Sequence, residues 1–161
     1  MCGLLGMLAA TGNVDKYVDA LERSLPCMRH RGPDAAGTWH DGDAAFGFNR
    51  LSIIDLEHSH QPLRWGPEDE PDRYAMTFNG EIYNYVELRE ELKGLGYTFH
   101  TEGDGEPIVV GYHHWGKDVV NHLRGMFGIV IWDTHTKTMF AARDQFCLLY
   151  TSPSPRDQRG S

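Results

Sequence analysis

Cysteine is scarce: the 161-residue chain has three, Cys2, Cys27 and Cys147, and no two stand in a CxxC spacing. An odd, widely spaced set argues against a disulfide framework and against a zinc site, and fits a reducing cytosol best. No apolar run approaches the ~20 residues that a membrane span needs. No basic stretch with an apolar segment behind it opens the chain, so a secretory signal is not expected. Positive charge is also short. Lys and Arg number 15 against 23 Asp and Glu, a net charge of -8, which argues against nucleic acid or an anionic membrane surface as a partner. No internal repeat is visible. What is present is enough chain for one domain with a real core, with 18 glycines that suggest tight turns and close backbone approaches.

The chain starts Met1-Cys2-Gly3. Once Met1 is trimmed, Cys2 carries a thiol and a free α-amine on one residue. An α-amine titrates at roughly 7.7–8.0, so near neutral pH it is close to the free-base form that a thiol nucleophile requires. A second-position Cys also reads simply as a small apolar residue that starts a strand. Cys2 to Leu8 does alternate small and apolar residues as a buried strand would.

Thr11-Gly12-Asn13 is a turn with Asn13 as N-cap, and Val14, Tyr17, Val18, Leu21 and Leu25 then recur at helical spacing to about Pro26. Cys27 just beyond is read as a buried apolar residue. His30-Arg31-Gly32-Pro33-Asp34 is a loop, either an Asp-stabilised turn or a rigid brace for a nearby site. Strands are expected at Gly37 to His40 and Ala44 to Ile54, joined by an Asp41-Gly42-Asp43 hairpin turn. Arg50, flanked by apolar residues toward a strand end, must either pair with an internal carboxylate or await a ligand's carboxylate. Leu56 to Asp72 holds three prolines and shows no regular element. His58 and His60 beside Glu57 are too loosely spaced for a metal, and His113, His114, His122 and His135 are read the same way, as solvated loop histidines.

Arg73 to Phe78 is a strand running into Asn79-Gly80-Glu81-Ile82-Tyr83-Asn84. Asn-Gly after a strand marks a turn, yet a side-chain amide beside a glycine N–H is also a two-donor oxyanion site. Asn84 with Glu87 forms a capping box for a helix ended by Gly94. A short strand is expected at Tyr97 to His100. Pro107 starts a helix, and Asp104 before it either favours the helix dipole or faces a ligand's ammonium. Helices at Ile108 to Trp115 and Val119 to Leu123 are followed by strands at Met126 to Trp132 and Thr138 to Ala142, with a hairpin turn at Asp133 to Lys137. The segment 147–161, rich in Ser, Pro and Arg, reads as a disordered or foreign tail.

Met1-Cys2-Gly3, Arg31-Gly32-Pro33-Asp34, Arg50-Leu51-Ser52-Ile53-Ile54-Asp55, Asn79-Gly80-Glu81-Ile82-Tyr83-Asn84, Gly103-Asp104 and Arg143-Asp144, in this order, resemble one family. It is the glutaminase domain of glutamine-hydrolysing asparagine synthetase, a class II amidotransferase with an N-terminal nucleophile. Families that feed ammonia to purine or hexosamine synthesis are similar at Cys2 and Asn79-Gly80. The longer motifs look like the asparagine branch.

The resemblance covers residues 1–146 and implies an α+β fold, a four-layer αββα sandwich of two antiparallel sheets between helices, as in N-terminal-nucleophile hydrolases. It makes Cys2 the nucleophile with its own amine as base, and Asn79 and Gly80 the oxyanion hole. Arg50 would hold the α-carboxylate of glutamine and Asp104 its α-amine, with Leu51, Ser52, Ile53, Ile54 and Glu81 lining the pocket. A zwitterionic head group calls for one such cation and one anion. The implied reaction is hydrolysis of glutamine through a glutamyl thioester, in a cytoplasmic protein that allows a homodimer and needs no metal or cofactor for this half.

The family's Arg143-Asp144 stretch continues through a Pro and a Gly into a second domain that binds ATP, Mg and aspartate. Gln145 and Cys147 stand where that Pro and Gly would be, so the synthetase half is expected to be absent and apolar surface left exposed. Two other classes compete: a glutamine-binding module whose Cys2 never becomes N-terminal, and a redox thiol protein pairing Cys2 with Cys27 or Cys147.

Overall fold

Alternation of apolar residues with a period of two along the strands decides the layering. The computed structural model describes residues 2–11, 13–51 and 60–146. Strand β1 (Gly3–Leu8) is followed by helix α1 (Asp15–Ser24), which tightens into a 3-10 turn at Leu25–Met28. Strands β2 (Ala35–His40) and β3 (Ala44–Arg50) come next, then β4 (Leu63–Trp65), β5 (Tyr74–Ile82), α2 (Tyr85–Gly94) and α3 (Glu106–Trp115). A 3-10 turn at Gly116–Asn121 leads to β6 (Gly125–Asp133) and β7 (Thr138–Arg143). The strands form two antiparallel sheets, ordered β1-β3-β2 and β4-β5-β6-β7.

In β3, Ala45 packs under α1 with Val14 and Leu21, whereas Ala44 and Phe46 point the other way and meet Ala75 of β5 and Trp132 of β6. In β5, Tyr74, Met76, Phe78 and Ile82 face α2 and α3 and join Leu88, Leu92 and Ile108. The result is helix on sheet on sheet on helices, the expected α+β sandwich. Among the described residues, the apolar cluster between the second sheet and its helices holds 16 buried side chains, and the apolar cluster between the sheets holds four. At about 1.5–3 kcal/mol for each large buried apolar side chain, most of the burial free energy sits under α2 and α3. Polar contacts help to hold the two sheets together. Trp132 Nε1 donates to Asp41 Oδ2 at 2.7 Å, and Lys137 bridges Asp41 and Asp43 at 3.1 and 2.9 Å.

Several local expectations give way to tertiary contacts. Asn13 stands one residue before the cap position, and its Oδ1 accepts the N–H of Asp15 at 2.6 Å. Cys27 lies on the 3-10 turn and is exposed, not buried. Strand β4 emerges from the proline-rich segment read as irregular, since Leu63 and Trp65 bury against the second sheet while Arg64 between them faces out. Tyr97 to His100 forms no strand, because the Glu106 carboxylate takes the N–H groups of His100 and Thr101. The helix expected at Val119 to Leu123 is the 3-10 turn Gly116–Asn121. Asn84 stands at the cap position of α2, as expected, but its side chain makes no capping bond. Its amide instead bridges His122 O and Arg124 N, at 2.9 and 2.8 Å, and so locks the approach to β6.

Candidate active site

The same period of two gathers the motif residues. On β1, Leu5 and Met7 face α1, so Cys2, Leu4 and Gly6 face the second sheet. On β3, Arg50 shares the inner face with Ala44 and Phe46, and on β5 Asn79 shares it with Ala75. Gly3 pairs with Asn49, so the register continued by one residue sets Cys2 beside Arg50. Three separate segments thereby reach one end of the space between the sheets.

Cys2 is held from several directions. Its backbone nitrogen donates to Asn79 Oδ1 at 3.0 Å, joining the first sheet to the second. Its sulfur accepts the Leu51 N–H at 3.3 Å and stands 3.7 Å from the Leu51 carbonyl. Its carbonyl accepts Arg31 Nε at 3.2 Å. That contact makes the Arg31-Gly32-Pro33-Asp34 loop a brace for Cys2, alongside the turn that the Arg31 N–H closes on Met28 O. A Cβ on Gly32 would lie 2.2 Å from Asn49 O, so only glycine allows this approach, and Asp34 N donates to Arg50 O at 3.0 Å.

Asn79 and Gly80 are not a turn but the interior of β5, opposite Gly128 and Phe127 of β6. Asn79 is buried. Gly80 has φ +152°, and a Cβ there would stand 2.1 Å from Met126 O. One further hold was invisible in the sequence. The Gln61 carboxamide takes both backbone groups of Phe78, accepting from N at 2.6 Å and donating to O at 2.9 Å, as a strand would. No periodicity marks Gln61, because its side chain does the work of a backbone.

Asp104 is half-buried before α3, and its Oδ2 accepts the Ile82 N–H at 3.0 Å. Ile82 lies three residues along β5 from Asn79, roughly 10 Å in an extended strand. Burial pushes the Asp104 carboxyl above the usual carboxylate range, backbone N–H groups of Ile82 and Asp104 oppose this, and the Glu81 charge adds to it. Arg50 is buried at the end of β3, and Glu81 is exposed. Ser52, Ile53 and Ile54 lie outside the described residues, as does Cys147.

Several histidines serve packing and surface pairs, and His58 lies outside the described residues. His113 stacks among Trp65, Tyr74 and Tyr97 rather than lying in a solvated loop, and accepts or donates at 3.1 Å to the Tyr74 hydroxyl. His122 stacks on Trp115, and His135 meets Glu70. Among the described residues, no group of three His, Cys, Asp or Glu is placed to hold a metal, and no helix is long and apolar enough to cross a membrane.

Two antiparallel sheets stacked between helices, with a second-position cysteine tied to both, make a sandwich of the N-terminal-nucleophile hydrolase fold class. The fold agrees with that of glutamine phosphoribosylpyrophosphate amidotransferase from Bacillus subtilis, with a TM-score of 0.67 over 91% of this chain and 37% of that one, at 20% identity. The family model of the glutamine amidotransferase domain matches residues 1–153, and the chain belongs to that family. It is 56% identical over 157 residues to a Mycobacterium tuberculosis protein provisionally named asparagine synthetase [glutamine-hydrolyzing], covering 91% of this chain and 24% of that protein. It is 42% identical over 151 residues to asparagine synthetase [glutamine-hydrolyzing] 1 of Bacillus subtilis, covering 91% of this chain and 23% of that protein. The chain thus spans about a quarter of the length of these relatives.

Proposed function

We propose that the chain hydrolyses glutamine to glutamate and ammonia, and that it is the ammonia-supplying part of a glutamine-hydrolysing asparagine synthetase. The observation that carries this reading is the double anchorage of Cys2, with its nitrogen on Asn79 and its sulfur on Leu51. Once Met1 is removed, that nitrogen is an amine beside the thiol. The amine takes the thiol proton, and the thiolate attacks the side-chain amide carbon of glutamine. The oxyanion that forms is held by the Asn79 amide and the Gly80 N–H. The proton returns to the amide nitrogen, the carbon–nitrogen bond breaks, and ammonia leaves a glutamyl thioester. Water then cleaves the thioester, giving glutamate and the free thiol.

Arg50 takes the α-carboxylate and Asp104 the α-ammonium, which fixes the amide over the sulfur. Leu51, Ser52, Ile53, Ile54 and Glu81 line the remaining pocket. No metal or cofactor enters this half. ATP, Mg and aspartate belong to a C-terminal synthetase domain as partner, in a cytoplasmic and homodimeric assembly.

The test is glutamate release from glutamine by the purified protein, together with its intact mass. Release with Met1 absent, and labelling at Cys2 by a glutamine-like diazoketone that free glutamine suppresses, supports the reading. Retention of Met1 with glutamine binding but no release leaves a binding module. Labelling spread evenly over Cys2, Cys27 and Cys147 removes Cys2 from the chemistry.

A further inference from the structure

Residues 100–105 carry Asp104 and belong to no helix or strand. Side chains hold this loop in place. At its start, the buried Glu106 carboxylate accepts the N–H groups of His100 and Thr101 and the Thr101 hydroxyl, all within 3.0 Å. At its end, the Ile82 N–H holds the Asp104 carboxylate. Between the two, Arg89 of α2 reaches across. Its Nη2 donates to Gly103 O at 2.7 Å, and its Nη1 pairs with Glu102.

Arg89 is an unusual occupant of its position. It is 6% exposed on the buried face of α2, beside Leu88 and Leu92, with Tyr85 and Phe99 rings at 5.7 and 5.6 Å. Its Nε is buried and has no acceptor among the described residues. A guanidinium that is desolvated and leaves a donor unmet costs stability that an apolar side chain would not. The Glu102 side chain is 89% exposed, so that ion pair recovers little of this. The contact that remains is the one to Gly103 O, on the residue next to Asp104.

We infer that Arg89 is a positioning residue that, through the Gly103 carbonyl, sets where Asp104 presents its carboxylate, and so makes the site select amides that bear an α-ammonium. This rests on the reading of Asp104 given under Proposed function. Arg89 touches neither substrate nor reacting atoms. Its loss acts on one end of the substrate only. A substrate that lacks the amino group never uses Asp104 and is indifferent to where that carboxylate stands.

The experiment compares glutamine with the monoamide of glutaric acid, which is glutamine without its α-amine, in wild type and Arg89→Met. A charge-assisted contact of this kind corresponds to about tenfold or more in affinity. The expected result is a KM for glutamine raised about tenfold with kcat nearly kept, and unchanged kcat/KM for the des-amino amide. Equal losses on both substrates, or no loss on either, overturn the inference, since a merely structural role would move both alike. If Arg89→Met does not fold by circular dichroism, Arg89→Gln, whose shorter side chain loses the reach to Gly103 O, is read in its place. It must lower the preference for glutamine in the same direction, and an unchanged preference overturns the inference. Titration calorimetry reads the contrast without turnover. Glutamine binding without glutamate release sinks the hydrolysis reading and still tests Arg89, while binding of neither compound overturns both.

Discussion

Replacing Asn79 by Ala removes two separable things. The first is the acceptor that holds the Cys2 nitrogen at 3.0 Å across the gap between the sheets. One neutral hydrogen bond is worth about 1 kcal/mol net, or about fivefold in how well the nucleophile is held. The second is an amide donor for the oxyanion, and losing one such donor costs on the order of 10²–10³ in kcat. The two are told apart by a reaction that makes no oxyanion. Alkylation of Cys2 by iodoacetamide passes through a displacement at carbon, so it needs only the placement of the sulfur and its base. In Asn79→Ala, alkylation is expected to slow by about fivefold. Glutamate release is expected to fall on the order of 10²–10³ further, with glutamine binding by calorimetry mostly intact. The mass of the alkylated peptide confirms the site, and stopped assays of glutamate give the rate. Parallel losses in both reactions would show that Asn79 serves only to hold Cys2. Equal turnover in mutant and wild type would remove it from the mechanism.

Other substitutions test the neighbouring parts. Asp104 titrates above its ordinary value, chiefly through burial, so its ionised form destabilises the fold at neutral pH, and that penalty disappears as pH falls below the ordinary carboxylate value. Asp104→Asn is therefore expected to raise Tm at pH 7, to lose that advantage in acid, and to weaken glutamine binding; a Tm that falls at pH 7 would contradict this. Gly80→Ala places a Cβ 2.1 Å from Met126 O and breaks the β5–β6 pairing beside Asn79. The overlap should cost about 1–3 kcal/mol or more, seen as a lower Tm in a thermal melt, and an unchanged Tm would refute the close approach.

Much of the strand pattern was legible because it is local. The Asp41-Gly42-Asp43 turn, the alternation along β1 and the two terminal strands each depend on a few neighbouring residues, and each stands where expected. Asn79-Gly80 shows where local reading stops. The dipeptide favours a turn, but the pairing of β5 with β6 from Tyr74 to Ile82 outweighs that preference and keeps the strand straight. Asn84 and Asn13 show the same limit at helix ends, where the distant His122 O and Arg124 N–H, or the nearby Asp15 N–H, take the side chain expected at the cap. β4 is too short for periodicity to register, and it exists because β5 offers it an edge.

The residue types of the site, and through their order the family, were determined by the sequence alone, since a thiol, an amide, a cation and a carboxylate are chemical identities that folding does not alter. Which partners each residue meets was decided only by the tertiary structure. Arg31 closes a turn through its N–H on Met28 O and also grips the Cys2 carbonyl, and Arg89 carried no signal until Gly103 was found against it. The reason is one of range. Side-chain chemistry is written position by position, whereas a hydrogen bond between Cys2 and Asn79 spans 77 positions of chain and forms only when two sheets stack.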